Sequence, residues 1–450
     1  MALKGSIKAV WGVSDIGFSM MSTMENVFFM IFLTDVAQLP LAITGIIASS
    51  SAIIDAISAV VAGIVIDKVT FKNGKYRPWL LFCPPIVTVF FILMFTKVGG
   101  DIVAAIIISV GYIMSHFVWN ISWTANRNLI GYIGENQEER SWLSARIAMG
   151  SSIGKLAVSY LLPIMTSALF AVFAVAGGET PVIAYTIAAA IVACCYMVCY
   201  FIHYAITKGC DATGSAAKAV TFKDMAKAIV SNDQLVVVLL HDAIRLIGYY
   251  IVTTMSTYYA KCVLGSSADS SIILLFFYLG CIIGSALSSK FNAKIGTKKT
   301  TLFGVIGWLV CQAAVIILPV NLFAVSAALF VGQVFFGVSY GLTSNLYTMC
   351  GTYGEWKTGG GARGVTMAFC SLAIKLGVAI RGVIIPVVLG MIAYDANAAD
   401  PTIFAEGIKF GYSVLPVIFI AISLVPLIWF KLSDNKIIEM EKEIAERSEA

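Results

Sequence analysis

The sequence predicts an all-α membrane protein with twelve transmembrane helices in two six-helix bundles. Three observations carry that reading. The chain is 59% hydrophobic and 12% charged, with a mean hydropathy of +0.90, which leaves too little polar surface for a soluble domain of this length. Its apolar stretches each come near the roughly 20 residues that a helix needs to cross the hydrocarbon core. The basic residues are also partitioned: of 30 Lys and Arg, only Lys97, Lys261 and Lys409, the last at the outer end of a span, fall on one side. The positive-inside rule then places both termini in the cytoplasm of a multi-pass plasma-membrane protein. The net charge of +5 is thus a signal of orientation. It does not point to nucleic acid, because the basic residues are scattered over many short loops.

The first six spans are predicted at roughly 9–33, 42–66, 78–96, 102–126, 142–174 and 182–206. Met1–Gly12 is mildly basic and runs directly into span one, so no cleavable leader is read there. Span one carries Asp15 near its cytoplasmic end, then Ser19, Glu25 and Asn26, with Glu25 expected to face a pathway. Span two carries Asp55 at mid-depth, where a charge is costly unless it lines a cavity or finds a partner. Asp55 therefore reads either as a cation or proton site or as a carboxylate locked to a basic group. Span four ends in His116-Phe117-Val118-Trp119-Asn120-Ile121-Ser122-Trp123-Thr124. Trp119 and Trp123 share a helix face, which suits a ring-shaped polar solute or an interfacial belt equally. Span five brings Arg146 and Lys155. The ten Cys lie mostly in apolar stretches without a C-x-x-C pair and read as packing residues.

A polar stretch, 208–232, separates a first bundle (1–207) from a second (233–432) and a charged tail (433–450). It reads as a cytoplasmic linker with a short surface helix around Thr221–Ala228. Spans seven to twelve are predicted at roughly 234–260, 270–289, 300–318, 321–349, 364–392 and 408–431. Span seven opens with His241-Asp242-Ala243-Ile244-Arg245. All three polar side chains can meet along one helix face, as a structural ion pair or as an anion-reading Arg with its resting counter-ion. Span ten has Tyr340, Asn345 and Tyr347; span eleven has Ser371, Lys375 and Arg381. The basic, Gly-containing loops after spans two (67–77) and eight (290–299) occupy matching places. That is the trace an internal repeat leaves in transporters whose halves rock about a central site. The tail reads as solvated.

The deep charges are Arg146, Arg245, Lys375 and Arg381 against Glu25, Asp55 and Asp242. The interior leans basic, favouring a solute with a carboxylate, for which Arg is the suited partner. No P-loop is present for ATP drive. His116, His203 and His241 are far apart in sequence, and no nucleophile–base pairing is visible, so an enzyme is not predicted. A membrane sensor would need an output domain larger than the linker or tail. A lipid or amphiphile carrier would favour an apolar cleft over this basic one.

Several stretches resemble one family. They are Thr34-Asp35-Val36, Asp55-Ala56-Ile57, Gly63, Gly74-Lys75-Tyr76-Arg77-Pro78-Trp79, Glu139-Arg140, Asn232-Asp233-Gln234-Leu235, Tyr353-Gly354-Glu355-Trp356-Lys357-Thr358, Lys375 and Val387–Ile392. From about Trp11 to Met391 the chain is similar to the glycoside–pentoside–hexuronide:cation symporters, the melibiose permease group of the major facilitator superfamily. The resemblance implies alternating access, a small-molecule substrate, a coupling cation and no cofactor, with the monomer as the working unit in the bilayer. In that group the carboxylate matching Asp55 has a second one a turn later, where this chain has Ala59. Ser58 stands at the adjoining amide position and Phe117 at a hydroxyl position. A hard cation wants several oxygens, so a proton on Asp55 or Asp242, or exchange, is expected rather than sodium. The two sugar-anchoring carboxylates match Ser19 and Asn120, whereas the bases persist as Arg146 and Lys375, and the stacking Trp matches Tyr340. The substrate-binding residues expected are Ser19, Asn26, Asn120, Trp123, Arg146, Arg245, Tyr340, Ser371 and Lys375. The solute is a glycoside, a hexuronide or another organic anion.

Overall fold

In the computed structural model the described residues are 5–69, 71, 74–133, 137–173, 182–210, 222–359 and 363–449. Lys72 and Asn73 of the first basic loop, residues 211–221 of the linker and Gly360-Gly361 lie outside them. Helices dominate, and the chain folds as two compact units: Met1–Ala219 with Ala393–Ala399, and Val220–Ile392 with Asp400–Ala450.

The first unit contains α1 (Gly5–Val10), α2 (Val13–Ile31), α3 (Leu41–Lys68), α4 (Trp79–Met94), α5 (Asp101–Ile133), α6 (Gln137–Val172) and α7 (Val182–Ile206). The second contains α8 (Phe222–Ser231), α9 (Asp233–Tyr259), α10 (Ser270–Ile295), α11 (Thr297–Ile317), α12 (Leu322–Tyr340), α13 (Thr343–Thr358), α14 (Arg363–Met391), α15 (Ala405–Lys409), α16 (Leu415–Ile428) and α17 (Asp434–Glu449). Among the described residues, 11 helical stretches are long and apolar enough to cross a membrane, and α4 is a shorter apolar one. Pro84 and Pro85 sit inside α4 and remove two backbone donors from its middle. Large apolar side chains such as Ile106, Val110, Leu161, Val310 and Val387 are exposed, as a lipid-facing surface requires. This is an all-helical, multi-pass membrane fold.

The two units repeat one packing scheme. In the first, α2 packs on α6 and α7, α5 on α3 and α4, and α4 on α7. In the second, α9 packs on α14 and α16, α12 on α10 and α11, and α11 on α16. The first long helix of each unit ends alike: α2 runs into a π turn at Phe32–Val36 and α9 into one at Ala260–Leu264. The linker helix expected near 221–228 is α8, shifted slightly towards α9.

Close approach of backbones needs glycine at two seams. On α6, a Cβ at Gly150 would lie 2.1 Å from the carbonyl oxygen of Gly12, and one at Gly154 2.2 Å from that of Ile16. On α10, Gly284 meets the carbonyl of Val334 on α12 in the same way, at 2.0 Å. Small residues four apart let membrane helices touch backbone to backbone.

The structure corrects one expectation: span ten is broken at Gly341-Leu342 into α12 and α13. The tail helix α17 is largely exposed, as a solvated tail would be, and packs one edge on α13: Trp356 Nε1 donates to Glu443 at 2.6 Å, and Arg447 donates to the Trp356 carbonyl at 2.8 Å. Asp434, at its start, accepts from the backbone N–H and the hydroxyl of Thr297, which caps the beginning of α11.

Candidate functional site

Each unit has its own polar interior. In the first, Asp55 on α3 is buried and accepts a hydrogen bond from Asn120 Nδ2 on α5 at 2.7 Å. The same amide donates to Ser58 Oγ at 3.1 Å, and that hydroxyl donates to the Asp55 carbonyl. Asp55 is thus a buried carboxylate that accepts from a neutral amide. Ser19 on α2 shares a 2.6 Å hydrogen bond with Ser151 on α6. Asn26, a half-buried residue two turns on, donates to the Ser22 carbonyl. Trp123 is half-buried beside Phe18, with Arg127 over its ring at 5.0 Å, and Trp119 lies 4.8 Å from Phe18. Arg146 and Lys155 are half-buried on α6, the helix that carries Ser151.

Two acids of α2 are buried with partners from α5. Asp15 is 1% exposed; Arg127 donates to it at 2.7 Å, and Asn126 and Ser14 add further bonds. Glu25 is also buried, with Tyr112 Oη donating to Oε1 at 2.6 Å and His116 Nε2 at 3.0 Å from Oε2. Sequence reasoning missed this pairing. A mid-span acid demands a partner, and Tyr112 and His116, four apart on one face of α5, are the signal that would have found it.

In the second unit Arg245 and Asp242 form a buried ion pair on α9. Arg245 also donates to Ser339 Oγ at 3.2 Å and Thr343 Oγ1 at 2.9 Å, spanning the break between α12 and α13, and Tyr347 Oη donates to Asp242. Its guanidinium lies 5.7 Å from the Tyr340 ring centre and 5.5 Å from that of Phe336, against which Tyr340 stacks. His241 does not join this face. Its Nδ1 donates to the Ser423 carbonyl on α16 at 2.7 Å. Ser371 and Lys375 are half-buried one turn apart on α14, and Arg381 donates to Thr254 Oγ1 at 2.9 Å and lies over Tyr250. The second unit therefore brings Arg245, Asp242 and Tyr340 together, and the first brings Asp55 and Asn120 together. Among the described residues no three His, Cys, Asp or Glu side chains gather as metal ligands.

Residues 10–434 match the MFS/sugar transport protein family. The chain belongs to that family. It is a membrane transporter of the secondary type, in a family named for sugar transport, and not an enzyme. It is 27% identical to the isoprimeverose transporter of Lactiplantibacillus pentosus, over 94% of this chain and 88% of that protein. It is 26% identical to the glucuronide carrier protein homolog of Escherichia coli (strain K12), over 97% and 94%. A putative sulfoquinovose importer of the same strain is 25% identical over 98% and 93%. Among solved structures, a bacterial homologue of the human lysosomal transporter Spinster superposes with a TM-score of 0.69 at 12% identity, covering 94% of this chain and 96% of that one. The nucleoside transporter NupG does so with 0.63 at 13%, covering 94% and 100%. At those identities the likeness is one of fold.

Proposed function

We propose that this protein moves a small anionic sugar derivative, of the glucuronide or sulfosugar type, by alternating access, with a proton or a counter-solute rather than sodium as the driving partner. The observation that carries the coupling part is the amide of Asn120. Its N–H groups point at Asp55 Oδ1 and Ser58 Oγ, so a donor occupies the side from which a hard cation would take oxygen ligands. The anionic part is supported by Ser19 and Asn120, which put a hydroxyl and an amide where the resemblance calls for carboxylates. It is supported also by Arg146 and Lys375 on half-buried helix faces, and by relatives named for a glucuronide and for sulfoquinovose.

In this reading Arg146 and Lys375 bind the anionic group, and Tyr340 and Trp123 offer ring faces to the sugar. Ser19, Asn26, Asn120 and Ser371 supply hydrogen bonds. Arg245 acts through its bond to Asp242, and both Asp55 and Asp242 take part in coupling. Both termini face the cytoplasm. The test is uptake of p-nitrophenyl β-D-glucuronide into proteoliposomes under an imposed pH gradient or an imposed sodium gradient, against p-nitrophenyl α-D-galactoside. Accumulation of the glucuronide under the pH gradient is expected. Transport of the galactoside alone would overturn the anionic reading, and sodium-driven accumulation at constant pH would overturn the coupling reading.

A further inference from the structure

Helix α17 lies along α13 and is tied to it near both ends. Asp434, its first residue, accepts from the backbone N–H of Thr297 at 2.9 Å and from its hydroxyl at 2.6 Å. Thr297 Oγ1 in turn accepts from Asn345 Nδ2, in the first turn of α13, at 2.8 Å. At the other end Trp356 Nε1 donates to Glu443 at 2.6 Å, and the Trp356 carbonyl accepts from Arg447 at 2.8 Å. Asn345 and Trp356 are eleven positions apart and Asp434 and Glu443 nine, which along α-helices is about 16 Å and about 14 Å. The two helices therefore run side by side, in the same direction, over most of the length of α13. Between the end ties, the half-buried Ile437 and Met440 join the apolar cluster of Leu346, Tyr347, Met349 and Cys350 on α13.

The break before α13 gives that alignment its importance. α12 ends at Tyr340 and α13 starts at Thr343, so no continuous helical ladder holds the two in line. Arg245 bridges the break, donating to Ser339 of α12 at 3.2 Å and to Thr343 of α13 at 2.9 Å. Where α13 stands at the break thus decides whether one guanidinium reaches both. Other contacts hold α13 as well. α14 packs along it, and α9 is bonded to it through Asn232 to the Cys350 carbonyl, Tyr353 and Lys357 to Asp233, and Tyr347 to Asp242. Those contacts fasten α13 to α9 and α14. What α17 adds, with the bond from Asn345, is a fastening to α11, which itself packs on α12. The tail helix spans the break from outside, its first residue on α11 and its body on α13.

The seat for Asp434 is shaped to take it. Gly296 has φ +80°, a conformation that favours glycine, and a Cβ there would lie 2.8 Å from Asp434 Oδ2. The carboxylate also sits at the start of α11, where the helix dipole favours negative charge. The dock is shallow all the same. Most of α17 is exposed, Ile438 on its outer face at 52%. Surface ion pairs such as that of Arg447 with Glu443 contribute little. A segment with so few buried apolar contacts opens far more readily than the fold as a whole.

We infer that α17 is a detachable splint for α13: docked, it holds α13 in place beside α11 and α12 and keeps Thr343 against Arg245; undocked, it lets α13 turn at Gly341-Leu342 and that bond loosen. The splint does not depend on which solute the protein moves. The test is hydrogen–deuterium exchange, read by mass spectrometry, on the full-length protein in lipid nanodiscs. Ile437→Asp with Met440→Asp should undock α17, and Ile438→Asp, on the outer face, is the control. The paired variant should exchange about tenfold faster or more over 437–447 and over 343–350, with α10 and α12 at the parent's rate. The control should change neither. Trp356→Phe with Asp434→Ala, which removes an end tie on each helix and leaves the apolar contact, should give the same pattern more weakly. Faster exchange confined to α17 would show that α13 does not lean on it, and faster exchange throughout the unit would make α17 part of a common core. Either result overturns the splint. So does an α17 that exchanges alike in the parent and the paired variant. The link to Arg245 has its own readout. Thr343→Ala should lower the Tm less in the paired variant than in the parent, because changes acting through one contact are not additive. An equal loss in both would overturn that link.

Discussion

Asn120 donates its side-chain amide to Asp55 across 2.7 Å, from α5 to α3. An amide hydrogen so placed stabilises the charged carboxylate and competes directly with a metal cation for the same oxygen. A sodium gradient alone is therefore expected to drive no accumulation at constant pH. Asp55→Asn should keep solute exchange and lose uphill movement, because an amide cannot cycle between charged and neutral forms. Paired counterflow and accumulation assays on the two proteins check this.

Arg146 and Lys375 should each matter for affinity more than for folding. A charge-assisted hydrogen bond lost on replacement by Gln costs about 1.5–3 kcal/mol, which corresponds to a roughly ten- to hundredfold weaker Kd. Ligand-dependent thermal stabilisation measures it, since a ligand bound only by the folded state raises the apparent Tm. Parent-like affinity in both variants would make these residues structural.

Arg245 should behave in the opposite manner. It is 1% exposed, neutralises Asp242 and bonds both sides of the α12–α13 break. Arg245→Met leaves a buried carboxylate without its cation, a change that typically costs about 3–5 kcal/mol. Arg245→Met combined with Asp242→Asn should recover much of that loss. Thermal unfolding of the single and double variants gives the comparison.

Gly150→Leu should separate α2 from α6, since even a Cβ at that position lies 2.1 Å from the Gly12 carbonyl oxygen. Poor recovery of folded protein from membranes is expected. Gly359→Ala, at a position where nothing lies within 4 Å of an added Cβ, should be milder by comparison and pays only for its positive φ. Yields by fluorescence-detected size exclusion check the contrast.

A reporter active only in the cytoplasm, fused after Ala450, should be active, and one inserted between Asn397 and Ala398 silent. The basis is the one-sided distribution of Lys and Arg.

The helices were legible because apolar length is nearly the whole requirement for crossing a bilayer, and the repeat was legible because basic loops recur at matching places. The Gly341-Leu342 break was not, since no charge or proline interrupts 321–349. The site was legible in part. Asp242 and Arg245 sit three apart on one helix, so their pairing follows from local geometry. Glu25 and His116 lie 91 positions apart, and only the packing of α2 against its neighbours brings them together. His241 shows the converse: helical spacing allowed it to join Arg245, but a carbonyl on α16 satisfied it first.

The glycine seam between α2 and α6 fixes register as well as distance. A slip of one helical turn, about 5.4 Å, would carry Arg146 or Val158 to the places now occupied by glycine, against a carbonyl with no room for them. These two helices can travel only as one rib. Changes of shape during a transport cycle must then fall on contacts built from side chains, which can exchange partners, and the α3–α5 contact through Asp55 and Asn120 is of that kind.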